Sequence, residues 1–130
     1  MQSIGPAEAL ALMLQGVPYL DVRTADEFEA GHPAGARNLP VSEPDFVHAA
    51  LACFDPARPI IVGCRSGVRS VLAAKRLEAD GFSDVYEQRA GWDGARDAFG
   101  RVTETGWRKA GLPTASGPAP ALEPPASDAP

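Results

Sequence analysis

The sequence has no excess of basic residues. Its 12 lysines and arginines stand against 17 aspartates and glutamates, which gives a formal net charge of −5. Nucleic acids and anionic membrane surfaces attract clustered positive charge, so we expect neither as a main partner. No apolar run is long enough to span a membrane. No basic segment precedes an apolar stretch at the start of the chain, so we expect no signal peptide.

Cysteine is also scarce. The chain contains only Cys53 and Cys64. In a secreted domain the two thiols would be candidates for a disulfide bond. Because the sequence shows no export signal, we expect two free thiols in a reducing compartment, and therefore a cytoplasmic protein.

The composition divides the chain into two parts, with no internal repeat. Residues 1–113 contain enough apolar side chains for one domain of ordinary size. Residues 114–130 are mostly proline, alanine, serine and glycine, and Leu122 is their only large apolar residue. Such a segment buries too little surface to offset its ordering entropy, so we predict a disordered tail.

Strand and helix signals alternate along residues 1–113. This alternation predicts an α/β fold in which a small parallel sheet is flanked by helices on both faces. Within the helix that follows Gly67, Val71, Leu72 and Leu77 are expected to point inward. The predicted strands are 19–23, 59–63 and 85–87. The predicted helices are 6–15, a short one opened by the Thr24 capping box and ended by Gly31, one that begins at Pro44 or Asp45 and ends at Phe54, 68–79 and 107–110.

Cys64 follows the most apolar predicted strand and precedes a predicted helix. Ligands of open parallel sheets bind beyond the carboxyl ends of the strands. At a helix start, the dipole and free backbone N–H groups stabilise a thiolate over a thiol, and Arg65 and Arg69 can add to this effect. Ser66 and Gly67 are small enough for the backbone to curl around an anion. We therefore predict a nucleophilic cysteine that meets an anionic substrate.

Two chemistries use such a loop. Phosphatases and arsenate reductases have five residues between the cysteine and an arginine, whereas Arg69 follows Cys64 after four. The shorter loop favours attack on a smaller atom, such as the outer sulfur of a thiosulfate-like donor. Turnover of a phosphate ester would overturn this argument.

The ordered part of the chain resembles the rhodanese, or sulfurtransferase, homology domain. The likeness spans residues 3–113 and rests on the joint order of motifs that are individually short. Pro33 lies one position earlier than the family pattern has it, 88–94 matches the family's glycine-rich stretch loosely, and the residues before Trp107 look like an insertion. The motifs are 64–70 (CRSGVRS), 19–23 (YLDVR), Glu27-Phe28, Gly31-His32, 35–38 (GARN), Gly106-Trp107 and 111–113 (GLP).

The resemblance implies a two-step transfer of sulfur through a Cys64 persulfide. The donor would be thiosulfate or a similar small anion, and the acceptor a thiol or cyanide. Arginine directly after the cysteine is more common in thiosulfate users. No cofactor and no metal are implied. The active-site loop would consist of Arg65, Ser66, Gly67, Val68 and Arg69.

A second hypothesis uses the same residues. The domain would be a sulfur-carrier or regulatory module, fed by a protein persulfide and passing sulfur to another protein, with little turnover of thiosulfate. A catalytically dead binding module is a further alternative, but such domains usually lack the cysteine.

Several other residues are assigned structural roles. Asp21 and Arg23, at a strand end, are expected to support the site by bridging neighbouring loops. His32 is expected to fix its loop by hydrogen bonding, and Glu27 to cap its helix. Cys53 is expected to pack beside a helix, with a disulfide to Cys64 as the alternative.

The remaining aromatic and acidic residues are expected to do little chemistry. Trp107 is interpreted as core, and Trp92 as the tryptophan with the better chance of touching the pocket. The acidic residues elsewhere are interpreted as a solvated face.

Overall fold

A computed structural model describes residues 1–124 of the chain. Four helices and nine strands follow one another along them, and none of these helices is long and apolar enough to cross a membrane. The helices are α1 Pro6–Leu14, α2 Ala25–Ala30, α3 Phe46–Cys53 and α4 Val68–Ala79. The strands are β1 Gln2–Ile4, β2 Tyr19–Asp21, β3 His32–Pro33, β4 Arg37–Asn38, β5 Ile60–Gly63, β6 Val85–Gln88, β7 Ala95–Arg96, β8 Val102–Glu104 and β9 Thr114–Ala115.

The central sheet has five strands in the order β1-β6-β5-β2-β4, and all of its pairings are parallel. Strand β5 lies in the middle and every one of its residues is buried. In register, Gly63 stands beside Asp21 on β2 and Gln88 on β6. Cys64 therefore follows the carboxyl end of the buried central strand, as the sequence predicts, and the ends of β2 and β6 flank it.

Each face of the sheet carries its own core. Helices α3 and α4 cover one face, where Leu20, Val62 and Val85 pack against Phe46 and Leu77. Helices α1 and α2 cover the other face; there the core comprises Ile4, Ala9, Tyr19, Phe28, Ala36, Ile61 and Trp107. The prediction of a parallel sheet flanked by helices on both faces is confirmed.

Helix α4 has the predicted bounds, but its buried face differs from the predicted one. Leu77 is buried as expected, whereas Leu72 is 45% exposed and Val71 is partly buried. The residues that face the sheet are Ser70, Ala73, Ala74 and Leu77. Position 72 falls on the side of the helix away from these four residues, so Leu72 is exposed.

The predicted helix over 107–110 is wrong. These residues form turns, with hydrogen bonds from Ala110 N to Gly106 O and from Gly111 N to Arg108 O. Trp107 is fully buried, as expected, and its indole Nε1 donates to Pro113 O over 2.8 Å. Burial of the Trp107 ring, rather than a helical pattern of apolar residues, accounts for the turn conformation of this segment.

The insertion predicted before Trp107 is an antiparallel hairpin. Strands β7 and β8 pair with an irregular register, and Phe99 stands exposed between them. The hairpin lies outside the five-stranded sheet.

The structure differs from the predicted tail at its beginning. Strand β9 pairs with β3, Gly117 N donates to Glu29 O over 2.8 Å, and Leu122 packs against the core that α3 covers. One strand pairing, one further backbone hydrogen bond and one apolar contact thus hold residues that composition alone assigns to a disordered tail. The last part of the predicted tail, 125–130, lies outside the described residues.

Candidate active site

Cys64 is buried where β5 leaves the sheet. It is 3% exposed, and its Sγ accepts a hydrogen bond from the backbone N–H of Gly67 over 3.1 Å. Gly67 caps α4 with a left-handed φ of 96°. A Cβ at this position would lie 2.8 Å from Arg89 O, so only glycine fits both the conformation and the space. The loop thus aims an amide at the sulfur, as predicted.

The segment after β6 braces the cysteine loop. Trp92 N donates to Cys64 O, and Asp93 N donates to Arg65 O, each over 2.9 Å. Gly91 has a left-handed φ of 62°, and a Cβ there would lie 2.6 Å from the carbonyl oxygens of Cys64 and Arg65. Close approach of two backbones therefore explains the glycine at this position.

Both loop arginines are paired with carboxylates. Arg65 is 63% exposed, and its Nε donates to Asp93 Oδ2 over 2.8 Å. Arg69 donates from Nη1 and Nη2 to the two carboxylate oxygens of Glu27, over 2.6 and 2.8 Å. The resemblance assigns both arginines to the active-site loop. An incoming anion would have to compete with Asp93 and Glu27 for them.

Glu27 joins two elements in addition to its predicted capping role. It completes the capping box with Thr24, and it holds Arg69 of α4. The hydrogen bond from Arg69 is the main cause that lowers the pKa of Glu27 to about 2. The pairing with Arg69 was missed because the two residues are 42 positions apart in the sequence.

We expect the Glu27–Arg69 pair to stabilise the fold above about pH 4.5, the ordinary pKa of Glu27, and to lose that contribution as pH falls through about 2. Both side chains are about one-third exposed, so the effect should stay below ~1 kcal/mol. Urea unfolding of wild type and Glu27→Gln should therefore differ more at pH 7 than near pH 2. The exposed Glu29→Gln in the same helix is the control; an equal gap for Glu27→Gln at both pH values would contradict the expectation.

Asp21 and Arg23 form a buried pair beside the cysteine. Arg23 Nε lies 3.0 Å from Asp21 Oδ1, and Nη2 lies 2.7 Å from Oδ2. Nη2 also donates to Gly31 O, and the guanidinium lies 5.3 Å from the centre of the Trp92 ring. Asn38 Nδ2 donates to the carbonyl oxygens of both Asp21 and Arg23. These contacts bridge neighbouring loops, as predicted for Asp21 and Arg23.

His32 is held by its own loop. Its Nδ1 lies 2.6 Å from Phe28 O, and its ring stacks on Phe28 with the centres 3.6 Å apart. The ring is buried, in agreement with the loop-fixing role expected from the sequence.

An open cavity of about 410 Å³ adjoins the loop at Arg65, and three arginines and two carboxylates are among its lining residues. Trp92 lines this cavity, as expected, and Arg108 joins it through a 3.5 Å contact with Asp93. Sequence reasoning missed Asp93 and Arg108, because their places depend on how the loops after β6 and β8 fold together. The lining residues are Arg23, Glu27, Ala30, Arg65, Trp92, Asp93 and Arg108.

Glu87 corrects the assignment of the remaining acidic residues to a solvated face. It is 3% exposed, and its Oε2 accepts a hydrogen bond from Ser70 Oγ over 2.6 Å. Ser70 Oγ in turn lies 3.4 Å from Cys64 Sγ. The alternation of side chains along a strand could have predicted the burial of Glu87, because position 87 shares a face with the buried Val85.

Cys53, the second thiol, is free and partly buried at the end of α3. It lines a separate cavity with Pro18, Phe54 and Leu122, and no residue of the 64–69 loop lines that cavity. This position agrees with the packing role expected for it.

The fold and the cysteine loop together define a known class of domain. The family model "Rhodanese-like domain" matches residues 6–98. The chain therefore belongs to the rhodanese-like family, as the order of its sequence motifs indicated.

Individual proteins of known sequence or structure are similar to this chain over most of its length. The chain is 37% identical to Thiosulfate sulfurtransferase 16, chloroplastic, of Arabidopsis thaliana, over 86% of this chain and 91% of that protein. It is 40% identical to Thiosulfate sulfurtransferase GlpE of Pseudomonas fluorescens, over 69% and 80%. Among solved structures, Rv0390 from M. tuberculosis matches with a TM-score of 0.76 at 27% identity, over 90% and 98%. The Wolinella succinogenes Polysulfide-sulfur Transferase Homodimer matches with a TM-score of 0.65 at 27% identity, over 89% and 79%.

Proposed function

We propose that this protein transfers a sulfane sulfur from thiosulfate, or a similar small anion, to a thiol or cyanide through a Cys64 persulfide. The observation that carries the proposal is the Cys64 thiol, with the Gly67 N–H on its sulfur, next to the arginine-lined cavity. Relatives that are named thiosulfate sulfurtransferases support the choice of donor.

The reaction would proceed in two displacements. The Cys64 thiolate attacks the outer sulfur of thiosulfate; a new S–S bond forms, and the bond to the sulfonate breaks with its electron pair leaving on sulfite. The acceptor then attacks the outer sulfur of the persulfide, and the electron pair of that S–S bond returns to Cys64. With cyanide the product is thiocyanate. The backbone N–H of Gly67 is placed to stabilise the charge on sulfur.

The cavity favours a donor with two negative charges, because Arg65 and Arg108 share the single carboxylate of Asp93 on its wall. A dianion can replace Asp93 as the partner of both arginines. Arg65 and Arg108 are exposed, so each can exchange partners without burying a charge. We propose the cytoplasm as the place of action, since both thiols are free.

Intact-protein mass spectrometry tests the proposal. The reduced protein is incubated with thiosulfate, and we expect a gain of one sulfur atom together with release of one equivalent of sulfite. Cyanide should then remove the sulfur as thiocyanate. A protein that shows a free thiol and gains no sulfur would contradict thiosulfate as the donor. Uptake of sulfur from a protein persulfide under those conditions would establish the sulfur-carrier alternative. Hydrolysis of a phosphate ester would establish the phosphatase alternative.

A further inference from the structure

A buried hydrogen-bonded chain connects Cys64 to a carboxyl group. Cys64 Sγ lies 3.4 Å from Ser70 Oγ, which lies 2.6 Å from Glu87 Oε2. Ser70 is fully buried, and the two end residues are each 3% exposed. Three elements contribute one group each: the end of β5, the first turn of α4, and β6. The two displacements proposed above do not use Ser70 or Glu87.

The hydrogen-bonded series Cys64–Ser70–Glu87 holds one proton in addition to the hydroxyl proton of Ser70. Its two hydrogen bonds need two protons, and Ser70 supplies one of them. The other must be on Cys64 or on Glu87. If both ends were ionised, one buried acceptor would face the serine oxygen without a donor, which is costly away from water.

We propose that Ser70 and Glu87 form a proton relay that converts the Cys64 thiol into its thiolate. The S–H proton passes to Ser70 Oγ while the hydroxyl proton of Ser70 passes to Glu87 Oε2. The S–H bond breaks, an O–H bond forms on Glu87, and Ser70 ends with one hydroxyl proton as before. The charge moves from carboxylate to sulfur, and no proton is exchanged with solvent. This role rests on the proposed function of Cys64 as the nucleophile, in which Ser70 contacts the sulfur and Glu87 is a positioning residue.

The surroundings of Glu87 suit a carboxyl group that accepts a proton. Burial raises the pKa of Glu87, against the lowering effects of the Ser70 hydrogen bond and of Arg89, while Glu104 raises it further. Arg89 is itself paired with Glu104, at 2.9 Å. The loop contributes Gly67, where a Cβ would lie 4.0 Å from Glu87 Oε2, and the register neighbour on β1 is Ser3. Neither of these side chains carries a charge.

The relay has a consequence for donor binding. With the proton on Glu87, the three groups together carry one negative charge, and the hydroxyl of Ser70 donates to the thiolate. A dianionic donor then meets one negative charge, instead of the two that an ionised Cys64 beside an ionised Glu87 would present. The same hydrogen bond would stabilise Cys64 when the persulfide is discharged.

The test is the pH dependence of Cys64 alkylation by iodoacetamide, followed on the Cys64 peptide by mass spectrometry. Two coupled groups lose their protons in two macroscopic steps. We therefore expect the alkylation rate of wild type to rise in two steps with a plateau between them. Glu87→Gln removes one titrating group and should leave a single step. Ser70→Ala interrupts the chain and should also remove the plateau, which keeps the test available if Glu87→Gln does not fold.

Glu104→Gln is the matched control, because Glu104 acts on Glu87 without contacting Ser70, and it should keep both steps. One step in wild type, or two steps in a folded Glu87→Gln, would overturn the relay. Iodoacetamide needs no sulfur donor, so this failure is distinct from failure of the proposed function. Two steps without sulfur uptake from thiosulfate would overturn the donor and support the relay.

Discussion

Cys64→Ser should take up no sulfur from thiosulfate. Serine keeps the Gly67 hydrogen bond and the size of the site, but its hydroxyl stays protonated and is a poor nucleophile. Removing the nucleophile of a covalent enzyme lowers turnover by roughly 10⁶-fold, which puts the variant below detection. The measurements are the intact mass after thiosulfate and the rate of thiocyanate formation with cyanide.

The second cysteine provides the control for this experiment. Cys53→Ser should gain one sulfur atom as wild type does, because no residue of the 64–69 loop lines the cavity that contains Cys53. Both variants should melt within a few degrees of wild type, since each changes one atom. Sulfur uptake by Cys64→Ser, or its loss in Cys53→Ser, would contradict Cys64 as the carrier.

Strands β2, β5 and β6 of the central sheet and the cysteine loop could be predicted because their signals are local, whereas the short strands β1 and β4 were not predicted. Apolar runs alternate with helix starts, and Gly67 precedes a helix whose predicted and observed bounds agree. The capping box at Thr24 is likewise complete within four residues. Each of these features depends on neighbours in the sequence, and for that reason a single chain contains enough information to place it.

The partners of the loop arginines could not be predicted, because they depend on tertiary contacts. Glu27 and Arg69 are brought together by two helices, and Asp93 reaches Arg65 from a loop 28 residues away. The loop sequence displays two free cations, and only the folded chain shows that each has an acidic partner. The consequence is chemical: donor binding becomes an exchange of anions at an existing pair, not the filling of an empty cationic site.

Burial also decided where composition misled. Glutamate is usually exposed, yet Glu87 is buried. Proline-rich segments are usually disordered, yet Leu122 packs against the hydrophobic core. In the first case strand periodicity contained the information. In the second case strand β9 could be recognised only through its pairing with His32 and Pro33, which no property of residues 114–115 indicates.

Asp21→Asn should be the most destabilising polar substitution beside the site. The amide is nearly isosteric with the carboxylate and can still accept the hydrogen bond from Arg23 N. It cannot neutralise the Arg23 guanidinium, of which only 3% is exposed. Breaking a buried ion pair by removing one partner costs about 3–5 kcal/mol. We expect a loss of that size in the free energy of unfolding, measured in urea.

The same substitution at an exposed pair supplies the control. Asp55 lies 3.9 Å from Arg58, and the side chains are 50% and 73% exposed. Asp55→Asn should change the free energy of unfolding by less than about 0.5 kcal/mol. Equal losses at the two positions would mean that burial of the Asp21–Arg23 pair has no energetic consequence.

The double variant Asp21→Asn/Arg23→Met separates an uncompensated charge from lost packing. If the cost of Asp21→Asn comes from a buried guanidinium without its counter-ion, removing that guanidinium should recover part of the stability. The double variant should then be more stable than Asp21→Asn alone, although it also loses the hydrogen bond to Gly31 O and the contact with Trp92. A double variant less stable than the single one would assign the role of Arg23 to those two contacts. In that case Arg23 would act mainly by tying the loop after α2 to the wall of the cavity, and its ion pair with Asp21 would be secondary.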